Sequence, residues 1–204
     1  MRKAVLGLGC NLGDRQENLN RAVRALDHLP GTKVLQLSNL YETEPFDVPD
    51  KQADYLNQCV LLETELSPRA LLGACLGIEA AMGRERKTYH AARVLDLDLL
   101  LYEGEYFAEK ELNLPHPGIL ERAFVLVPLA DLFPQKMALG LDFSGVYDRL
   151  DKSGVQPFLK KIKTFSKKGV DKRDVVWYYS QAPYGTAQTK GQTVKARNPD
   201  GKPV

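Results

Sequence analysis

The sequence lacks the features that mark several common protein classes. No run approaches the roughly 20 apolar residues of a membrane-spanning helix, and residues 4–9 are too few and too glycine-rich for a signal peptide. We therefore expect a cytoplasmic protein without a membrane partner. The 3 cysteines have no metal-ligand spacing, which indicates reduced thiols. Neither a Walker loop nor a GxGxxG motif is present, which argues against P-loop kinases and Rossmann dinucleotide enzymes.

Charge is distributed unevenly along the chain. Residues 1–150 hold 16 Lys+Arg and 22 Asp+Glu, a net charge of −6, whereas residues 151–204 hold 12 and 4, a net charge of +8. We interpret residues 1–135 as a globular domain and residues 136–183 as a basic, partly ordered extension. Residues 184–204 are rich in Gly, Thr, Gln, Lys and Pro, which predicts a disordered tail.

Hydrophobic periodicity predicts two β-α-β units in the globular part. The predicted strands are residues 3–9, 33–42, 55–65 and 93–101, and the predicted helices are residues 15–29 and 67–83. A helix-to-strand segment at 122–129, a short helix at 143–150 and a strand at 175–179 complete the prediction. Two such units joined together favour a ferredoxin-like α+β sandwich, with helices on one face of an antiparallel sheet. The other face is then free to carry ligands.

The strand at residues 93–101 contains the clearest candidate site. Alternation along a strand places Asp96 and Asp98 on one face and the intervening leucines on the other. Two adjacent carboxylates repel each other unless a cation lies between them, and Mg²⁺ commonly takes one or two carboxylates together with substrate phosphates. An edge strand with a solvated polar face would show the same pattern, so the neighbouring residues decide between the two interpretations.

Basic residues cluster next to this acidic strand. They are Arg84, Arg86, Lys87 and Arg93. Arginine binds phosphate through a planar fork of donors, and lysine acts as a point charge. A solvated basic loop is the alternative, but beside two carboxylates the pattern matches a metal–phosphate site.

Three further segments add to the candidate site. His116 lies between two prolines that stiffen its loop, and Arg122 follows it; both could contact a phosphate. Tyr55 and Asn57 share one strand face, where a ring and an amide suit a flat heterocycle, although core packing explains a strand tyrosine equally well. The combination indicates transfer of a phosphate-containing group from a magnesium nucleotide to a small acceptor.

Taken together, these segments resemble the 6-hydroxymethyl-7,8-dihydropterin pyrophosphokinase family over residues 4–133. Several motifs in one order are more specific than any one of them. The matching segments are Gly9–Asp14, Tyr41–Pro45, Tyr55–Asn57, Ile78–Glu79, Gly83–Arg86, Arg93 with Asp96–Leu100, and Leu114–Pro117 followed by Arg122 and Phe124.

The resemblance implies a ferredoxin-like fold, ATP as co-substrate, two Mg²⁺ ions and release of AMP as pyrophosphate passes to the pterin hydroxymethyl group. It makes residues 1–135 the catalytic domain, with Arg84, Arg93, Asp96 and Asp98 catalytic and both acids holding metal. ATP would be bound by Arg84, Arg86, Lys87, Arg93, His116 and Arg122. The pterin would be bound by Thr43, Glu44, Pro45, Phe46, Tyr55, Asn57 and Phe124.

Two departures from the family pattern stand out. Cys10 replaces a common serine, and residues 88–92 lack the usual Trp and Gly-Pro before Arg93, which leaves open whether Tyr89 supplies the missing ring. Two other functions compete with the pyrophosphokinase. Another Mg-dependent nucleotidyl or phosphoryl transferase would release a product other than AMP. A ferredoxin-like RNA-binding module would use the basic tail, but its aromatic-rich sheet motif is absent, so a nucleic-acid partner is not favoured. We expect a monomer.

Overall fold

The computed structural model describes residues 1–45, 52–84 and 91–159. The strands in these ranges are β1 (Arg2–Cys10), β2 (Thr32–Leu37), β3 (Tyr41–Thr43), β4 (Tyr55–Thr64), β5 (Asp96–Tyr102), β6 (Phe107–Ala108), β7 (Asn113–Leu114), β8 (Met137–Ala138), β9 (Leu141–Asp142) and β10 (Val155–Pro157). The helices are α1 (Arg15–Asp27), α2 (Pro68–Ala81), α3 (Ala123–Leu132) and α4 (Ser144–Arg149).

A six-stranded antiparallel sheet forms the centre of the molecule. Its order is β10-β3-β4-β1-β5, and β2 pairs with β4 on the edge of β4 that β3 also uses. The small hairpins β6–β7 and β8–β9 lie outside this sheet. The predicted α+β class with an antiparallel sheet is confirmed.

Local sequence signals explain where the two long helices begin. The Asp14 side chain accepts a hydrogen bond from the Glu17 backbone N–H, and Ser67 does the same for Ala70, so each helix starts with a side-chain cap. The predicted helices at 15–29 and 67–83 are confirmed, as are the strands at 3–9 and 55–65 and the short helix at 143–150.

The predicted single strand at 33–42 is wrong, because the structure divides it into β2 and β3. Ser38 causes the break. Its hydroxyl oxygen accepts the Cys59 backbone N–H at 2.9 Å, a position that a strand carbonyl would otherwise take. The Ser38 carbonyl instead accepts a hydrogen bond from the Gln58 side chain at 2.9 Å. The interruption keeps both strands paired with β4 but changes their register.

Helices cover both faces of the sheet, so the prediction of helices on one face is wrong. Helices α1 and α2 pack on one face against a cluster that includes Leu6, Leu8 and Val60. Helix α3 packs on the other face against Val5 and Leu61, which are also buried. The second face of the sheet is also apolar at these positions, so a second layer of structure must bury it.

Residues 122–129 form the start of helix α3, and the strand predicted at the end of this segment is absent. The segment is apolar on all sides because it is buried between the sheet and α4, and such a run has no helical stripe to recognise. The predicted strand at 175–179 lies outside the described residues. Cys10, Cys59 and Cys75 are buried free thiols, as predicted. None of the described helices is long and apolar enough to cross a membrane.

Candidate active site

A cavity of about 470 Å³ opens over the centre of the sheet, on the face that carries α3. Two glycines of β1 form its floor. Gly9 pairs with Asp96 on one side and with Asn57 on the other, and Gly7 pairs in the same way with Asp98 and Cys59. A Cβ atom at Gly9 would lie 3.0 Å from the Asn57 Oδ1 atom. Glycine therefore leaves room between the acidic strand and β4.

Two arginines hold the carboxylate of Asp96. Arg93 donates from its guanidinium to Asp96 Oδ2 at 2.6 Å, and Arg84 donates to Asp96 Oδ1. The Nε atom of Arg93 is buried and has no hydrogen-bond partner among the described residues. Because an unpaired buried donor is costly, this atom is available to an acceptor that enters the cavity, such as a phosphate oxygen.

Asp98 lies two residues further along the same strand face. Burial, together with the neighbouring Asp96 carboxylate, raises the pKa of Asp98 to about 6, and the positive charge of Arg122 opposes that rise. This pair of acids would be stabilised by a cation. Within the described ranges no three His, Cys, Asp or Glu residues form a metal-binding group. Two carboxylates that need further oxygen ligands match Mg²⁺, which usually completes its octahedron with water and substrate phosphates.

His116 presents one nitrogen to the cavity in a fixed tautomer. Its backbone N–H bonds to the Leu100 carbonyl at 2.9 Å, and its ring Nδ1 accepts the Gly118 backbone N–H at 3.1 Å. Since Nδ1 acts as the acceptor, the proton of the neutral ring lies on Nε2. Burial, together with the charge of Arg122, lowers the pKa of His116 below its ordinary value of 6.5. His116 is therefore a neutral donor at pH 7.

We expect the His116 ring to titrate below pH 6.5 in an NMR pH titration of the folded protein, with the His116→Gln variant identifying its signal. The unfolded chain binds this proton more readily than the folded one, so the stability that His116 contributes is complete above pH 6.5 and decreases as the pH falls. The denatured protein is the control and should titrate near 6.5. A folded-state pKa above 6.5 would contradict the neutral tautomer.

Two aromatic residues and one amide also line the cavity, and one of the rings and the amide belong to β4, on the other side of β1 from the acids. Tyr55 is the first residue of β4, Phe124 is the second residue of α3, and both line the cavity. The guanidinium of Arg93 lies 5.8 Å from the centre of the Tyr55 ring. Asn57 is buried and donates from Nδ2 to the Thr43 hydroxyl at 2.7 Å, which leaves its Oδ1 atom as a fixed acceptor. This side of the cavity suits a flat, polar-edged ring.

Most of the residues predicted from the sequence meet in this cavity. Those that line it are Thr43, Glu44, Tyr55, Asn57, Arg84, Arg93, Asp96, Asp98, His116, Arg122 and Phe124. Pro45 is described but is not a lining residue. Phe46, Arg86, Lys87 and Tyr89 lie outside the described residues. Cationic and aromatic groups from Tyr55 to Phe124, which are far apart in the chain, therefore share one cavity.

Glu79 is a site residue to which the sequence analysis assigned no role. It is 2% exposed, accepts the Leu97 backbone N–H at 2.7 Å and forms an ion pair with Arg84. Glu79 thereby fixes the position of β5 at Leu97, which lies between the two acids. It also fixes the position of Arg84, one of the two arginines that bond to Asp96. Its signal was in the sequence, since Leu71, Cys75 and Glu79 follow one another at intervals of four on the buried face of α2. An acid at a buried position of an apolar stripe indicates a polar contact within the protein.

Asn11 was also missed. Its Oδ1 atom accepts the Arg93 backbone N–H at 2.8 Å, and its Nδ2 atom donates to Gln52 and to the Ala53 carbonyl. Asn11 lies in the matching segment Gly9–Asp14, but no spacing in the sequence indicates a contact with a residue 82 positions away. The side chain joins the segment that carries Arg93 to the segment that precedes β4.

Comparisons with known proteins agree on one family. The model of the family 7,8-dihydro-6-hydroxymethylpterin-pyrophosphokinase (HPPK) matches residues 5–134. The chain is 44% identical over 156 residues to the 2-amino-4-hydroxy-6-hydroxymethyldihydropteridine pyrophosphokinase of Methylorubrum extorquens, covering 76% of this chain and 98% of that protein. It is 38% identical over 160 residues to the enzyme of the same name from Bacillus subtilis, covering 76% and 95%.

Solved structures show the same fold. A Plasmodium falciparum HPPK-DHPS structure aligns with a TM-score of 0.59 at 14% identity and covers 87% of this chain and 50% of that chain. Another HPPK-DHPS structure, in complex with substrates, gives a TM-score of 0.55 at 13% identity, covering 72% and 43%. The chain thus spans half or less of the length of these solved proteins, and at such identities the likeness concerns the fold alone.

Proposed function

The chain belongs to the 7,8-dihydro-6-hydroxymethylpterin-pyrophosphokinase family, and we propose that the cavity over Gly7 and Gly9 is its active site. The enzyme is a 2-amino-4-hydroxy-6-hydroxymethyldihydropteridine pyrophosphokinase of folate biosynthesis, with ATP as co-substrate. The observation that carries the proposal is the division of one cavity into two ends. Asp96 and Asp98 line the end at β5, and Tyr55 and Asn57 line the end at β4, with Gly7 and Gly9 of β1 between them. The Arg122 guanidinium lies 5.7 Å from the centre of the Phe124 ring, which also lines the cavity.

At the charged end, the proposed ligands of Mg²⁺ are Asp96 and Asp98, and the family resemblance implies two ions. Bound there, Mg²⁺ would neutralise phosphate charge as a Lewis acid. The unpaired Arg93 Nε and the Nε2–H of neutral His116 are donors for phosphate oxygens. Arg84, which bonds to Asp96, and Arg122, whose charge acts on Asp98, add positive charge beside the acids. Arg86 and Lys87 stay predicted ATP ligands.

At the other end, the proposed binding mode places the pterin ring between Tyr55 and Phe124. Stacking holds a flat heterocycle without fixing its rotation, so polar contacts must set its orientation. The Asn57 Oδ1 atom, whose amide is anchored on Thr43, is a fixed acceptor for a ring N–H group. The backbone from Thr43 to Phe46 is the second proposed contact of the ring edge.

In the proposed reaction the hydroxymethyl oxygen attacks the β-phosphorus of ATP, and the hydroxyl proton passes to water. The bond from that phosphorus to the oxygen bridging the α- and β-phosphates breaks, and AMP leaves with the electron pair. Phosphoryl-type transfer depends mainly on in-line positioning and on neutralising the charge that develops on the leaving oxygen. The rings and Asn57 serve the first requirement, and the arginines serve the second.

We also propose a finer assignment of the fold as ferredoxin-like. Its support is the chain order β1-α1-β2/β3-β4-α2-β5 together with the strand order β3-β4-β1-β5. Helix α3 and strand β10 are additions to that core. The monomeric state, the cytoplasmic location and the division at residues 135 and 183 stay predictions.

The experiment that tests the function is a product assay with ATP, Mg²⁺ and 6-hydroxymethyl-7,8-dihydropterin. We expect one AMP for each pterin converted to its diphosphate ester, and no product when Mg²⁺ is chelated. The matched control is 6-methyl-7,8-dihydropterin, which keeps the ring but lacks the attacking oxygen. Release of ADP or of inorganic pyrophosphate would instead support another phosphoryl or nucleotidyl transferase.

A further inference from the structure

We propose that Arg15 and Phe158 form a brace that sets the affinity of the pterin end of the active site. This inference rests on the proposed function of the cavity. It adds two positioning residues that do not line the cavity, one at the start of α1 and one directly after β10.

Arg15 contacts strand β3 and the residue that directly precedes β4. One guanidinium nitrogen donates to the Asp54 carbonyl at 2.6 Å, and another forms an ion pair with Glu42. Glu42 directly precedes Thr43, and Asp54 directly precedes Tyr55. Thr43 and Tyr55 are direct partners in the β3–β4 ladder, and the guanidinium ties the two strands together at this same end, where the proposed pterin contacts lie.

The two acceptors of Arg15 constrain its plane. A guanidinium presents its donors in a rigid fork, so both bonds form only when the plane lies in one orientation. The side chain is 25% exposed, and its ion pair with Glu42 therefore faces competition from water. A further contact is needed to keep the fork in position.

Phe158 supplies this contact. The centre of its ring lies 5.9 Å from the Arg15 guanidinium carbon, within the range of a cation–π interaction. Its position is fixed by the backbone, since β10 pairs with β3 and the Phe158 N–H donates to the Leu40 carbonyl at 2.9 Å. The ring also packs against the core cluster of α1 and α2.

The brace thus connects a strand in the predicted C-terminal extension to the pterin end of the site. It does not approach the acids, whose contacts run through Arg84, Arg93 and Glu79. The segment before β4 is also joined through Asn11 to the Arg93 backbone, so a defect in the brace should weaken pterin binding more than ATP binding. This separation distinguishes positioning from a general loss of stability.

The test measures the KM for each substrate and the melting temperature of four variants of the full chain. We expect Arg15→Gln to raise the KM for the pterin about tenfold and Phe158→Ala about threefold, with a smaller change in the KM for ATP. Phe158→Trp keeps a ring under the guanidinium and should restore the wild-type value. If Arg15→Gln fails to fold, the two Phe158 variants carry the test.

The matched control is Phe107→Ala. Phe107 is also partly buried against the same core cluster, and the Arg69 guanidinium lies 5.4 Å from its ring centre. It should lower the melting temperature and leave the KM for the pterin unchanged. An equal rise of that KM in Phe107→Ala, or no rise in Arg15→Gln and Phe158→Ala, would overturn the brace. A wild-type enzyme that releases no AMP would instead overturn the proposed function.

Discussion

Asp96→Ala and Asp98→Ala are each expected to lower the kcat for pyrophosphate transfer by about 10³-fold, because each removes a proposed ligand of Mg²⁺ beside the phosphates. Neither change should prevent folding. The Asp98 carboxylate is buried beside Asp96, and its pKa is raised to about 6, so the fold does not depend on its charge. Loss of Asp96 leaves Arg84 with its second partner, Glu79.

Three measurements check this expectation. Steady-state AMP release gives kcat, calorimetric titration of MgATP gives binding without turnover, and thermal unfolding gives stability. Asp148→Ala is the control, since its carboxylate is 72% exposed and makes a single long contact of 3.9 Å with Lys136. A near-normal kcat in either cavity variant would remove the metal assignment.

Glu79→Ala is expected to have the largest effect on stability, about 3 kcal/mol in the free energy of unfolding. The carboxylate is 2% exposed and pairs with Arg84, and it is the acceptor for the Leu97 N–H between the two acids. Its removal takes one ion-pair partner from the half-buried Arg84 guanidinium. It also takes the side-chain acceptor from the buried Leu97 N–H. Such groups are costly when they lose their partners.

Chemical denaturation of the purified variant measures this loss. Glu109→Ala is the matched control, because Glu109 also pairs with an arginine, Arg69, but both side chains are about half exposed. Exposed pairs contribute at most about 1 kcal/mol, so the control should change stability little. A Glu79→Ala variant as stable as the control would show that α2 does not support β5 in the way described.

Patterns with a short range explain most of what the sequence predicted. The helical spacing of α1 and the alternation around Asp96 are each contained within a few neighbouring residues. Backbone geometry turns such patterns into structure directly, since a strand alternates every second residue and a helix repeats every 3.6. The same argument put both acids on one strand face before their surroundings were known.

The failed predictions concern contacts between segments distant in the chain. Ser38 divides a strand because its hydroxyl accepts the Cys59 N–H. Helix α3 has no apolar stripe to recognise because the sheet and α4, which cover it, are both apolar. Neither partner is visible from the local sequence. The one-sided arrangement of helices failed for the same reason, since the sequence shows how apolar a strand is but not which element covers it.

The sequence by itself determined the chemistry of this protein: two acids on one strand face, arginines before them, and rings with an amide elsewhere. Only the tertiary structure decided that Gly7 and Gly9 separate the acids from β4, that Glu79 and Asn11 hold the arginines, and that β10 brings Phe158 to Arg15. The physical reason is range. Side-chain type and alternation are fixed locally, whereas a hydrogen bond or a cavity depends on which strands become neighbours when the sheet forms.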